Sequence, residues 1–154
     1  MGYAFLVAAP ERALLLECGV VDVRASTTAA ERLLAISKSL DELIRRHRPF
    51  VLAVERLYFN KNVQTAMRVS EARGVALLCA ARASLEIAEY TPQEVKISVT
   101  GNGRGDKKAV QRMLPLLVAI DAPITQDNVA DAVAIALTHA QRAHFAAAVE
   151  AAST

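Results

Sequence analysis

The most constraining feature of this sequence is an unbroken apolar run, residues 51–54, that ends at an acid, Glu55. Such a short apolar run predicts a strand that is buried on both faces of a sheet, as in α/β proteins. Open α/β sheets bind ligands beyond the carboxyl ends of their strands, where Glu55 would lie. Position alone leaves two interpretations open: a ligand-binding acid, or a surface residue that ends the strand.

A second acidic segment opens the last predicted helix. Asp127 and Asp131 are four residues apart, and Asn128 and Asp131 are three apart, so these side chains share a helical face. The positive N-terminus of the helix offsets part of the repulsion between the two carboxylates, and a divalent cation would offset more of it. The alternative is that Asp127 caps the helix and Asp131 is solvated. Because residues 132–137 are nearly all apolar, the helix should be buried, and a metal or a facing Lys would explain Asp131.

The apolar pattern and the turn signals predict the element order ββαβαβααα. We expect strands at residues 2–7, 13–23 (bulged near Gly19), 51–55 and 85–90, and a final helix at about 127–150. Two helix starts have the capping-box spacing: Thr28 with Glu31, and Thr91 with Glu94. With 154 residues and no internal repeat, the chain is predicted to form one α/β domain, residues 1–154.

Small residues recur every four positions in the predicted helix that follows Glu55. They are Ala66, Ser70 and Gly74. A Gly inside a helix costs about 1 kcal/mol relative to Ala, which indicates that another backbone packs closely against this face. That backbone could belong to the sheet beneath or to a second subunit.

Two segments have the composition of nucleic-acid contacts. The first, residues 101–108, has three glycines and the cations Arg104, Lys107 and Lys108, which suit a phosphate. The second has two aromatic residues beside a cation, as in base stacking: Tyr58, Phe59 and Lys61. The alternatives are a flexible solvated loop and aromatic residues packed in the core.

Composition excludes several classes of protein. The chain is 53% hydrophobic and 22% charged, which is typical of a globular protein. It shows no signal peptide and no membrane-length apolar run, and Cys18 and Cys79 are predicted to be buried free thiols, so we expect a cytoplasmic protein. The histidines lack a metal-ligand spacing and are expected at the surface or at helix ends. A net charge of +2 permits nucleic-acid binding without requiring it.

Taken together, these segments resemble the RuvC-type Holliday junction resolvases of the ribonuclease-H-like superfamily. The resemblance covers nearly the whole chain and is carried by an ordered set of pieces: Ala53–Glu55, Asn60–Asn62, Glu71–Ala76, Tyr90–Pro92, Val95–Lys96, Gly101 with Gly103, Lys107, and Asp131–His139. It implies an α/β fold with a ribonuclease-H-like mixed sheet flanked by helices.

The resemblance also implies a metal-dependent endonuclease that cuts symmetric phosphodiesters in four-way DNA junctions. It would act as a homodimer with a branch-migration complex as partner. Glu55 and Asp131 would hold Mg²⁺ or Mn²⁺, and Lys96 and Lys107 would contact phosphate. Tyr58 would stack on bases. The helix starting near residue 62 would dimerise, which favours a subunit contact for the small-residue face.

The sequence departs from the family pattern at two places. Asn128, a neutral and weaker ligand, stands where the family has Asp or His, and Asp127 is a candidate substitute. Residues 1–5 match the family's second strand, so we expect an N-terminally incomplete chain with open inner sheet edges and impaired cleavage. The alternative functions are a non-catalytic junction-binding or dimerising protein, and a structural or non-expressed remnant.

Overall fold

The computed structural model describes residues 1–9, 12–23, 28–56, 63–103, 105–120 and 123–152. The described elements are β1 (Gly2–Val7), β2 (Ala13–Val20), α1 (Ala29–His47), β3 (Val51–Glu55), α2 (Val63–Arg82), β4 (Glu86–Tyr90), α3 (Pro92–Thr100), α4 (Lys107–Leu117), β5 (Val118–Ala119) and α5 (Asp127–Ala152). Two compact units can be distinguished: Met1 with Val21–Glu89, and Gly2–Val20 with Tyr90–Thr154. The single-domain assignment stays a prediction.

The first unit contains a two-stranded sheet, β3 and β4, and the helices α1 and α2. The predicted capping box starts α1: the Thr28 hydroxyl accepts the Glu31 N–H at 3.2 Å, and the Glu31 carboxylate accepts the Thr28 N–H at 2.8 Å. This exchange satisfies two amide groups that the first helical turn leaves unpaired. Helix α1 ends at His47 and is capped by Arg48, which adopts the left-handed conformation (φ 46°).

The apolar faces of α1 and α2 form the core of this unit. Their buried residues are Ile36, Leu40, Leu43, Ala76, Cys79 and Ala80. Strand β3 is only half-buried from Val51 to Val54, and Glu55 is exposed. The prediction of a strand buried on both faces is therefore wrong in degree, although the strand itself and its acidic end are confirmed.

The second unit contains the three-stranded sheet β1-β2-β5. Strands β1 and β2 pair antiparallel, and β2 pairs parallel with β5, so the sheet is mixed. The predicted hairpin is confirmed, but β2 ends at Val20, and the register shifts between Phe5 and Leu6 rather than at Gly19. Strand β5 was missed because two residues are too few to show a period.

Helix α5 packs against β1 and β2 and provides much of the core of the second unit. Its buried residues are Val129, Ala130, Val133, Ala134, Leu137 and Thr138, as the apolar run after Asp131 predicts. Helix α4 continues through Pro115 to Leu117. The Arg12 guanidinium donates to the carbonyls of Pro115 and Val118, which satisfies acceptors that the helix end would leave unpaired.

Among the described strands, β1 is hydrogen-bonded to β2 alone and β3 to β4 alone. Each is therefore an edge strand of its sheet, and the expectation of an incomplete chain stays a prediction. Cys79 is buried and Cys18 only half-buried; both are free thiols, and burial raises the pKa of each. No helix in the described ranges is both long enough and apolar enough to cross a bilayer.

Candidate metal centre and nucleic-acid interface

The first turn of α5 carries the acidic residues that the sequence singled out. The helix begins at Asp127, and the Gln126 carbonyl accepts the N–H groups of Val129 and Ala130 at 3.1 and 3.0 Å. Asp131 lies one turn later on the same face, and both carboxylates are largely exposed, at 64% and 57%. Gln126 rather than Asp127 therefore precedes the first helical residue, so the N-cap interpretation of Asp127 is wrong.

A lysine from another helix faces both carboxylates. The Lys107 Nζ lies 3.2 Å from a carboxylate oxygen of Asp127 and 3.5 Å from one of Asp131. The Gln111 amide donates to Asp127 at 2.9 Å. The hydrogen bond to Asp127 raises the pKa of Lys107, and the charge of Asp131 adds to the effect. Of the two explanations for Asp131, the facing lysine is thus present in the structure.

The glycine-rich loop before α4 has a defined turn in its described part. Gly101 adopts the left-handed conformation (φ 72°) that caps α3. The Thr100 hydroxyl accepts the Asn102 N–H at 3.2 Å, and the Asp106 carboxylate accepts the Ala109 N–H at 2.7 Å as the N-cap of α4. This cap fixes the start of the helix at Lys107 and so positions the ammonium group.

Glu55 lies at the end of β3 in the first unit, whereas the two aspartates belong to the second unit. The Arg73 guanidinium donates through Nε to the backbone carbonyl of Glu55 at 3.2 Å. Its terminal nitrogen donates to the Glu89 carboxylate at 2.8 Å. Two elements, α2 and β4, therefore hold the strand end from which the Glu55 side chain projects.

The residues on α5 suit a divalent cation in part. Asp127 and Asp131 converge on one cationic nitrogen, and two carboxylate oxygens around one positive centre are ligands that Mg²⁺ accepts. Asn128 is exposed on the same turn, and its carbonyl packs so closely on β1 that a Cβ at Gly2 would overlap it. Within the described ranges, no group of three or more His, Cys, Asp or Glu side chains could hold a metal ion. The two aspartates therefore fit as a partial ligand set.

Of the residues predicted to contact nucleic acid, the structure describes three lysines. Lys107 and Lys108 are exposed at the start of α4, and Lys96 is half-buried on α3. The other four predicted contacts lie outside the described residues: Tyr58, Phe59, Lys61 and Arg104.

The small-residue face of α2 is open at its centre. A Cβ built on Gly74 would meet no atom within 4 Å, so close packing by the sheet beneath does not explain this glycine. Ser70 Oγ is a buried atom that has no hydrogen-bond partner in the described part of the chain. Two large apolar side chains on the same face are exposed, Met67 at 58% and Leu78 at 57%.

One interaction in the second unit was not expected from the sequence. The Tyr90 hydroxyl and His139 Nδ1 are hydrogen-bonded at 2.8 Å. His139 is half-buried in the middle of α5, so its predicted position at the surface or at a helix end is wrong. The Arg142 guanidinium lies 5.2 Å above the Tyr90 ring and pairs with Glu94 at 3.0 Å. These contacts fasten α5 to the start of α3, and residues 49 positions apart give no local signal for them.

Comparison with known proteins gives a consistent result. A family model described as crossover junction endodeoxyribonuclease RuvC matches residues 1–139. A relative of that name from Pelotomaculum thermopropionicum is 45% identical over 90% of this chain and 85% of its own length. Another, from Alkaliphilus metalliredigens, is 41% identical over 94% and 88%.

Solved structures extend the similarity to the fold. Thermus thermophilus RuvC superposes with a TM-score of 0.85 at 30% identity, covering 94% of this chain and 89% of that one. The same protein in complex with a Holliday junction substrate gives a TM-score of 0.84, covering 95% and 96%. The predicted ribonuclease-H-like class is thereby confirmed.

Proposed function

The chain belongs to the RuvC family of crossover junction endodeoxyribonucleases, and from that premise we propose that it resolves four-way DNA junctions by divalent-metal-dependent hydrolysis. The observation that carries the proposal is the family match over residues 1–139, which includes Glu55, Asp131 and the lysine that faces Asp131. The match to one such relative covers 85% of that relative's length.

We propose Mg²⁺ or Mn²⁺ as the metal, with Glu55 and Asp131 as ligands and Asp127 or Asn128 as the third. The convergence of Asp127 and Asp131 on one positive centre supports this assignment. When bound, such cations activate water and stabilise the leaving oxygen of a phosphodiester. The carboxylates would bind the metal cation, and Lys107 balances the charge of Asp127 and Asp131 when no metal is bound.

The proposed DNA contacts are the cations of α3 and α4 together with the segment after Glu55. They are Lys96, Lys107 and Lys108, with Tyr58, Phe59, Lys61 and Arg104 as further candidates. The exposure of Lys107 and Lys108 in the first turn of α4, whose start is fixed by the Asp106 cap, supports a phosphate contact there. Such contacts make binding depend on salt, because each neutralised phosphate releases counterions.

We further propose that the α2 face containing Ala66, Ser70 and Gly74 is a homodimer interface. The open surface at Gly74 and the unpartnered hydroxyl of Ser70 support it, since a second subunit would fill both. The branch-migration complex stays a prediction from the family resemblance.

A cleavage assay on a synthetic four-way junction tests the proposed function. The protein should nick the junction symmetrically in Mg²⁺ or Mn²⁺ and should leave a linear duplex of the same sequence intact. EDTA and Asp131→Asn should each abolish cleavage, and Asp41→Asn, a surface acid on α1, serves as the control. If the junction is bound in EDTA but never cut in either metal, the non-catalytic alternative is correct and the nuclease proposal fails.

A further inference from the structure

The segment that contains Arg73 is one of the pieces that carries the family resemblance, yet no role has been assigned to it. In the structure Arg73 lies on α2 and its side chain is only 23% exposed. It donates to the Glu55 carbonyl at 3.2 Å and to the Glu89 carboxylate at 2.8 Å. Glu89 also lies 3.6 Å from the Arg56 guanidinium, so it is held between two cations.

These two hydrogen bonds need a guanidinium in particular. A planar group with five N–H donors can bond two acceptors at once in a fixed geometry, whereas an ammonium group on a flexible stem cannot reproduce that arrangement. The bond to Glu89 is charge-assisted, and the Arg73 side chain is 23% exposed. The carbonyl of Glu55 is consequently tied to a rigid helix and to the neighbouring strand.

We infer that Arg73, fixed by Glu89, is a positioning residue for the Glu55 carboxylate. This inference rests on the proposed role of Glu55 as a metal ligand. Outer partners that orient a ligand typically contribute about 10- to 100-fold in metal affinity or activity. Arg73 touches neither metal nor DNA in this scheme; it acts by fixing the backbone from which Glu55 projects.

A purely structural role for Arg73 makes a different prediction. If the guanidinium only joined α2 to the sheet, its loss would lower the free energy of unfolding and leave the affinity of the folded protein for metal unchanged. Metal affinity measured without DNA therefore separates the two roles, because it reports on the proposed ligand set that includes Glu55 and not on cleavage.

The test is calorimetric titration of the full chain with MnCl₂ in the absence of DNA. Arg73→Gln should weaken Mn²⁺ binding by roughly tenfold or more, and Arg73→Lys should restore only part of it. Glu89→Gln should also weaken it, because Arg73 loses its second anchor. Arg82→Gln is the matched control: it removes the same charge from α2, where Arg82 pairs with Asp41 at 3.4 Å, and should leave Mn²⁺ binding unchanged.

Glu55→Gln separates failure of this inference from failure of the proposed function. If Glu55→Gln weakens Mn²⁺ binding but folded Arg73→Gln and Arg73→Lys bind like the wild type, the positioning role is wrong and the ligand assignment stands. If Glu55→Gln has no effect on Mn²⁺ affinity, the ligand assignment is wrong and the inference falls with it. If Arg73→Gln does not fold, the Arg73→Lys and Glu89→Gln titrations decide the question in the same way.

Discussion

The Nζ atom of Lys107 lies 3.5 Å from a carboxylate oxygen of Asp131 and also pairs with Asp127. A cation supplied by α4 therefore balances the two acids that open α5. A divalent ion bound by these carboxylates would have to share or replace that ammonium group, because like charges at close range repel each other. Lys107 and the metal are thus expected to compete when no DNA is bound.

Replacing Lys107 with Gln should make Mn²⁺ bind more tightly. Exposed ion pairs contribute up to about 1 kcal/mol, so the gain in affinity should be about twofold to fivefold. Junction binding should weaken at the same time, and its salt dependence should fall by about one counterion. Titration with MnCl₂ and junction binding at several salt concentrations measure both effects. Lys108→Gln, an exposed neighbour of equal charge, should affect junction binding alone; equal Mn²⁺ affinities for both variants and the wild type would contradict the competition.

Replacing Asn128 with Asp should add a third carboxylate to the first turn of α5. Without metal, the new like charge opposes Asp127 and Asp131, although the helix N-terminus offsets part of the repulsion. With metal, the third anionic oxygen should strengthen binding. Thermal unfolding with and without MnCl₂ should therefore show a larger metal-induced rise in Tm for Asn128→Asp than for the wild type. Gln126→Glu adds the same charge just outside the helix and should show no such gain.

Local signals predicted the helix starts, and the reason is physical. Thr28 with Glu31 and Thr91 with Glu94 form hydrogen bonds between residues three positions apart. The spacing in the sequence therefore directly predicts the contact. Strand β5 has two residues and contains no such information.

Contacts between distant residues could be predicted only as alternatives or not at all. The spacing of Asp127 and Asp131 required a compensating cation, but nothing in that spacing chose between a metal and Lys107. Arg73 and Glu89 are 16 residues apart on different elements, and only the packing of α2 on the sheet brings them together. The sequence could therefore single out the candidate acids, but it could not predict that Lys107 faces the two aspartates or that Arg73 bonds the Glu55 carbonyl.

The capping box of α3 should make stability depend on pH. Hydrogen bonds from Thr91 lower the pKa of Glu94 from its ordinary value of 4.5. Because the folded-state pKa is the lower one, this contribution is present above 4.5 and is lost as pH falls through the folded-state value. Glu94→Gln should lower the free energy of unfolding at about pH 6, by less than about 1 kcal/mol, and the difference should vanish at acidic pH, once the Glu94 carboxyl is protonated in the folded state as well.

Denaturant unfolding at about pH 6 and at acidic pH measures this difference in the free energy of unfolding. Glu86→Gln, an exposed carboxylate on β4, is the control. Thr91→Ala should cost about 1 kcal/mol through loss of the cap. A difference between wild type and Glu94→Gln that grows toward low pH would contradict the assignment.

The α2 face provides the last prediction, which concerns assembly. Met67, Gly74 and Leu78 are spaced by seven and four residues, so they lie on one side of the helix. Leu78 is 57% exposed, and Val69, on the opposite side, is 46% exposed. The two positions therefore form a matched pair of similar size and exposure.

If the proposed homodimer forms through this face, Leu78→Arg should convert it to a monomer, whereas Val69→Arg should leave it dimeric. An uncompensated charge buried in an interface costs about 3–5 kcal/mol, which corresponds to a more than 100-fold weaker association. Light scattering during size-exclusion chromatography gives the mass of each variant directly, and circular dichroism shows whether each remains folded. If Val69→Arg dissociates the dimer and Leu78→Arg does not, subunits meet through the other side of α2. If the wild type itself runs as a monomer at every concentration, the open surface at Gly74 has another cause, and the dimer proposal is wrong.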